Sequence, residues 1–210
     1  MKFTTYTTFP EQTSNESLWV LVDSEQLQSN INTYQINNLE SILSATQFKG
    51  NFNETLPLFG QISNQPHSQL LGLGKTAELQ AVKLAKLAQT IIKSTQNKFK
   101  HIAIDIAALP VEYHYLFALS LTQAAYGYDE FKSKKNEFVL QQVDLISSTT
   151  SLDEQQLALV HAVQSGQSYA RDLGNRPGNI CFPEYLAEQA QALAAEFPDL
   201  LKVTVLNEQQ

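Results

Sequence analysis

Short apolar runs alternate with longer amphipathic stretches along this chain. Residues 18–22, Leu-Trp-Val-Leu-Val, form an apolar run between polar flanks, which predicts a buried strand. "NLESILSATQF" places Leu39, Ile42, Leu43 and Phe48 at a weak helical spacing. "ETLPLFG" reads as a strand that Pro57 confines to an edge or bulge, and "HSQLLGLGK" as a strand ending in a glycine-rich turn. The clearest helix of the first half follows. Leu79, Val82, Leu84, Leu87, Ala88, Ile91 and Ile92 make its apolar face, with Lys83, Lys86, Thr90 and Lys93 opposite. "HIAIDIAAL" is a second buried strand, residues 111–128 an apolar helix that Gly127 can end, and "EFVLQQVDLIS" a further strand. Ser151 with Glu154 has the spacing of a capping box that opens a helix running to about Leu173. "GNRPGNICFPEY" then crosses to a last helix, and Val203 to Leu206 has strand character.

Strands and helices alternate through residues 65–150, which argues an α/β fold with a mixed, largely parallel sheet flanked by helices. The polar stretch "SSTTSLDEQQ" marks a domain boundary near residue 150, so residues 1–150 are expected to form one α/β domain. Residues 151–210 then supply a connector helix on its C-terminal side, a linker and the first elements of a second domain. No internal repeat or low-complexity segment interrupts the pattern.

Composition narrows the function classes. Of 210 residues, 43% are hydrophobic and 17% charged, the balance of a globular rather than a disordered chain. The net charge of −7 disfavours broad contact with nucleic acid or anionic membranes. A local exception is the cluster of Lys132, Lys134 and Lys135. With one cysteine, Cys181, no disulfide forms within the chain. "MKFTTYTTFPEQTS" has no apolar leader and no run approaches the ~18 residues of a membrane span, so the expected location is the cytoplasm.

The residues offer little chemistry of their own. Gly72, Gly74 and Lys75 in "LGLGKT" could present N–H groups to an anion, but Gln69 stands where a phosphate loop needs its first glycine. A tight strand-to-helix turn explains the glycines equally well. His67, His101, His114 and His161 show no metal-ligand spacing. Cys181, between Ile180 and Phe182, reads better as a buried, inert thiol than as a nucleophile. Asp105, closing the run "HIAI", stands at a strand C-terminus, where α/β folds often bind ligands; it could equally cap the next turn. Asp153, Glu154 and Asp172 do not converge on a two-metal pattern. No catalytic, cofactor-binding or metal-ligating residue is assigned.

One long segment is distinctive. "ARDLGNRPGNICFPEYLAEQA" resembles the linker of the leucyl (cytosol) aminopeptidase family, through Arg171, Asp172, Leu173, Asn175, Pro177, Asn179, Ile180, Cys181, Tyr185, Leu186 and Ala187. "LLGLGK" and "YGYDEFKSKK" resemble two further segments of that family, in the same order, over about residues 70–210. Phe182 departs from the small polar residue frequent at that position, so the helix starting at Pro183 would lack a capping oxygen, a loss of about 1 kcal/mol. The resemblance implies a macro-domain-like N-terminal domain. It also implies a parent hydrolase, a metallopeptidase that releases N-terminal amino acids, leucine preferred, with two divalent ions (manganese or zinc) in a C-terminal catalytic domain. The family's ligand motifs are absent from these 210 residues. By this resemblance the chain is an N-terminal part, inactive alone, that serves assembly (a hexamer in the family) or access to the site. Peptides would meet the missing domain, and no metal is expected in this chain. The rival reading is a ligand- or DNA-binding module using the turn of Gly72 and Lys75 or the patch from Lys132 to Lys135.

Overall fold

A computed structural model describes residues 1–9, 16–34, 36, 38–62, 65–148 and 152–206. Six strands form one sheet: β1 (Lys2–Tyr6), β2 (Ser17–Asp23), β3 (Thr55–Pro57), β4 (Ser68–Gly74), β5 (His101–Asp105) and β6 (Gln142–Ile146). The helices are α1 (Leu27–Ile31), α2 (Leu39–Thr46), α3 (Ala81–Thr95), α4 (His114–Ala125), α5 (Glu154–Asn175) and α6 (Pro183–Glu196). Spatial order is β1-β6-β5-β2-β4-β3, parallel throughout except that β3 runs antiparallel to β4. The mixed, largely parallel α/β sheet expected from the alternation of elements is present.

Every residue of β2 is buried, because this central strand is covered on both faces. Trp19 and Leu21 point into a core with α3 and α4, through Leu84, Leu87, Ile91, Phe117 and Leu121. Leu18, Val20 and Val22 point the other way, into a core with Ile31 of α1 and half-buried Leu39, Ile42 and Leu43 of α2. Pro57 lies on edge strand β3, where its missing N–H costs no ladder bond.

Several local expectations shift. Strand β1, with Phe3 as its one buried residue, carries no apolar run and is absent from the sequence pattern. Val82 is 76% exposed. The buried face of α3 is Leu84, Leu87, Ala88, Ile91, Ile92 and Thr95, and Val82 stands two residues, about 200°, round the helix from Leu84. Val139 and Leu140 precede β6 rather than joining it; their N–H groups donate to Gln96 O at 2.7 and 3.1 Å. Helix α4 ends on Tyr126 in extended conformation, so Gly127 supplies no left-handed cap. Ser151 lies outside the described residues. The capping box that closes on α5 is Asp153 with Gln156: Gln156 N donates to Asp153 Oδ1 at 2.7 Å and Asp153 N to Gln156 Oε1 at 3.1 Å.

The glycines of "LGLG" have a packing role. A Cβ on Gly72 would lie 2.1 Å from Asn51 O, so only glycine lets residues 50–54 cross the end of β4. Gly74 has φ +72° and donates to Gly50 O at 3.0 Å.

Contacts divide the chain into two units, Met1–Gln164 and Ser165–Gln210, with α5 running through the division. In the second unit, Ile180 N and Cys181 N both donate to Pro177 O at 2.9 Å, making the turn between α5 and α6. Tyr169 Oη donates to Gln189 O at 3.2 Å, and the Arg176 guanidinium bonds the Tyr185 hydroxyl and lies 5.3 Å from its ring centroid. Phe182 precedes Pro183 in extended conformation and makes no side-chain cap bond, as its chemistry predicts. Cys181 is half-buried rather than enclosed, because no core forms around its turn. Residues 203–206 form no strand.

Candidate functional site

Because β1, β6, β5, β2 and β4 are parallel, their C-terminal ends share one edge of the sheet. Two of them end in aspartate, Asp23 on β2 and Asp105 on β5, and these strands are neighbours with Val20 opposite Asp105. From β2 the chain leaves toward α1 on one face; from β5 it leaves toward α4 on the other. Departure to opposite faces from adjacent strands opens a crevice at the strand ends, the usual ligand position of such sheets.

The two aspartates do different work. Asp23 Oδ1 accepts from Glu25 N at 2.6 Å, and Oδ2 accepts from Thr76 N at 3.0 Å and from the Thr76 hydroxyl. Burial pushes its carboxyl up, but the bonds from Thr76 and from the backbone of Glu25 and Gln26 outweigh it and hold the group below the ordinary carboxylate range. Asp23 therefore staples the end of β2 to the start of the segment after β4. Asp105 accepts from the Tyr34 hydroxyl, beside α1, and from Ala107 N at 2.8 Å. Here burial wins: those bonds recover only part of it, and the carboxyl stays above its ordinary range. Burial, then the neighbouring carboxylate, pushes the Tyr34 phenol well up. Asp105 and Tyr34 line a cavity of about 910 Å³ between the strand ends, the end of α1 and Gly60, Gln61, Ile62 and Gln65.

The remaining candidates stay apart. His101 Nε2 lies 2.8 Å from Asp144 Oδ2 on neighbouring β6, while His114 Nε2 bonds Leu109 O at 2.9 Å. His67 packs among Phe59 and Phe99, and His161 against Phe3. Asp153 caps α5. Among the described residues, no three His, Cys, Asp or Glu side chains converge, so they do not fit the pair of divalent metals that the resemblance implies. At the glycine turn, Gly72 N and Gly74 N donate to Glu54 O and Gly50 O, Thr76 N to Asp23, and Lys75 Nζ lies 2.9 Å from Glu25. Those donors are spent within the fold. Lys132, Lys134 and Lys135 stand exposed on a loop with Asp129, Glu130 and Glu137, so the segment carries no net positive charge. No helix of the described residues is long and apolar enough to cross a membrane. Asp23, Tyr34 and Gln65 are the residues that pattern reading passed over; the one available signal was "WVLVD", an apolar run closed by Asp like "HIAID".

Known proteins resemble this chain along its whole length. The model of the cytosol aminopeptidase family, N-terminal domain, matches residues 20–135. A probable cytosol aminopeptidase of Acinetobacter baumannii is 94% identical over 210 residues, and one of Acinetobacter baylyi 59%. The chain spans 44% of the length of each. Among solved structures, a tomato leucine aminopeptidase mutant has a TM-score of 0.79 at 20% identity, covering 100% of this chain and 45% of that one. The bottromycin maturation enzyme BotP, in complex with Mn, has a TM-score of 0.65 at 15% identity, covering 87% of this chain and 37% of that one. At these identities the structures speak for the fold, the family model for descent: this chain belongs to the cytosol aminopeptidase family.

Proposed function

We propose that this chain is the non-catalytic N-terminal part of a metal-dependent aminopeptidase that releases N-terminal residues, leucine preferred, from peptides. The observation that carries the proposal is the family's N-terminal domain model lying over residues 20–135. Metal ligands and reacting groups are then supplied by sequence outside these 210 residues. Two divalent ions, manganese or zinc, would polarise the peptide carbonyl and activate water there. Residues 1–150 form the N-terminal domain in this reading, and residues 151–210 the connector and the first elements of the catalytic domain. The part described here serves assembly into a homo-oligomer, a hexamer, or access to the catalytic site. The location is the cytoplasm. The donors spent at the Gly72 turn and the balanced charge around Lys132 lend the DNA-binding alternative no support.

Hydrolysis of a leucine anilide tests the reading, with manganese or zinc added. The 210-residue chain is expected to give no turnover, and the same chain extended through the remaining length of its relatives to give metal-dependent turnover. Turnover by the shorter chain after removal of contaminating peptidase would overturn it. Light scattering of both chains reads the assembly.

A further inference from the structure

Charge is spread unevenly over this chain of net charge −7. Residues 81–100 carry Lys83, Lys86, Lys93, Lys98 and Lys100 and no carboxylate. Residues 177–199 carry Glu184, Glu188, Glu196 and Asp199 and no basic residue. Each block lacks the opposite charges that a solvated helix commonly places three or four residues away. Lys83 with Lys86, and Glu184 with Glu188, are instead like-charged pairs at helical spacing, unfavourable in the isolated chain.

The fold turns both blocks outward. Helix α3 buries Leu84, Leu87 and Ile91, and Lys86 and Lys93 stand exposed on its other side. Lys83 beside them is half-buried, donates to Glu78 O at 3.2 Å and lies 5.4 Å from the Phe52 ring centroid. On α6, Glu184, Glu188 and Glu196 are exposed. Leu186 and Leu193 lie about 140–160° round that helix from Glu188, so its acidic side is separate from its apolar one. No ion pair involves Lys86, Lys93, Glu188 or Glu196 among the described residues. Lys86 and Lys93 are seven residues apart and Glu188 and Glu196 eight, about 10 and 12 Å along their helices, so the two sets can meet in register.

We propose that the lysine face of α3 in one copy of this chain docks on the acidic face of α6 in a second copy. Charge complementarity selects this occupant, because the acidic helix that matches the lysines is one that every copy carries. The inference specifies one contact of the homo-oligomer in the proposed reading and rests on the assembly stated there.

Sedimentation of the 210-residue chain tests it. Self-association is expected at about 50 mM salt and to weaken about tenfold by about 500 mM, as screening of exposed charges requires. Lys86→Glu with Lys93→Glu, and in a separate chain Glu188→Lys with Glu196→Lys, are each expected to abolish it without lowering Tm, since all four side chains are exposed. Mixing the two variants is expected to restore association, because each then meets its opposite charge. Lys86→Gln with Lys93→Gln is a milder variant, expected to weaken association without new repulsion. A monomer at low salt, association indifferent to salt, or a mixture that stays monomeric would overturn the proposal. So would binding of heparin without self-association, which would assign the lysines to a polyanion. If the chain extended to the length of its relatives turns over the anilide and assembles regardless of these four charges, the peptidase reading stands and this contact alone falls.

Discussion

The two units of this chain are stabilised in different ways. In Met1–Gln164, α3 buries six residues against the sheet, and both faces of β2 are closed. In Ser165–Gln210, α6 buries none, and no described residue is fully buried. Its helices are tied by the Arg176–Tyr185 and Tyr169–Gln189 contacts, while Phe182, Leu186, Phe197 and Leu200 remain exposed. A chain segment can be compact by proximity without a core. Isolated helices of this length are marginal in water, and their stability comes from burying an apolar face. The first unit has such a face; the second leaves its apolar side chains exposed.

Four substitutions probe this contrast in descending order of effect. Leu87→Ala, in the closed core, is expected to cost about 2–5 kcal/mol in urea unfolding. Asp23→Ala removes a charged acceptor from three donors and is expected to cost about 1.5–3 kcal/mol at neutral pH. The folded-state pKa of Asp23 lies below its unfolded value of about 3.9. Its stabilisation is therefore full above the unfolded value and lost as pH falls through the folded one, so the cost of the substitution should shrink in acid. A cost independent of pH would mean that Asp23 acts through packing alone. In the second unit, Phe182→Ser supplies the missing cap oxygen before Pro183 and is expected to add about 1 kcal/mol to α6, read as helical circular dichroism. Leu186→Ala, at a side chain 45% exposed, is expected to change stability by less than about 0.5 kcal/mol. A loss at Leu186 as large as that at Leu87 would break the comparison, because it would require a core in the second unit.

The same contrast explains what the sequence discloses. Strand β2 and helix α3 are legible because complete burial of a strand and one buried helical face each leave a strong periodic signature. Strand β1 is not, since its Thr4 and Thr5 dilute the signal and its place beside β6 depends on residues far along the chain. Val82 misleads because it lies beside a real apolar stripe without sharing its angle. At α5 the box of Asp153 and Gln156 rests on the same local chemistry as the pattern of Ser151 and Glu154, of which Ser151 lies outside the described residues. At the crevice, Asp105 is visible as the end of an apolar run. Tyr34 meets it across 71 residues of sequence, and Gln65 is an ordinary loop glutamine until the fold brings it to the same cavity. Pairings of that kind come from topology, which local pattern does not carry. The linker around Arg176 is the opposite case: its turn chemistry is local, so it is readable residue by residue.

The place of β1 has a consequence for biosynthesis. Its partner β6 lies about 140 residues downstream, yet the two pair in register from Lys2 with Gln142 to Tyr6 with Ile146. A nascent chain emitting about 5–20 residues per second leaves β1 waiting on the order of ten seconds before β6 exists. During that interval β2, β4 and β5 can join, but the first strand made is the last to find its neighbour. Lys2, Thr4 and Thr5 suit that wait and also the place β1 takes at the end of it, an edge of the sheet with one side left unpaired.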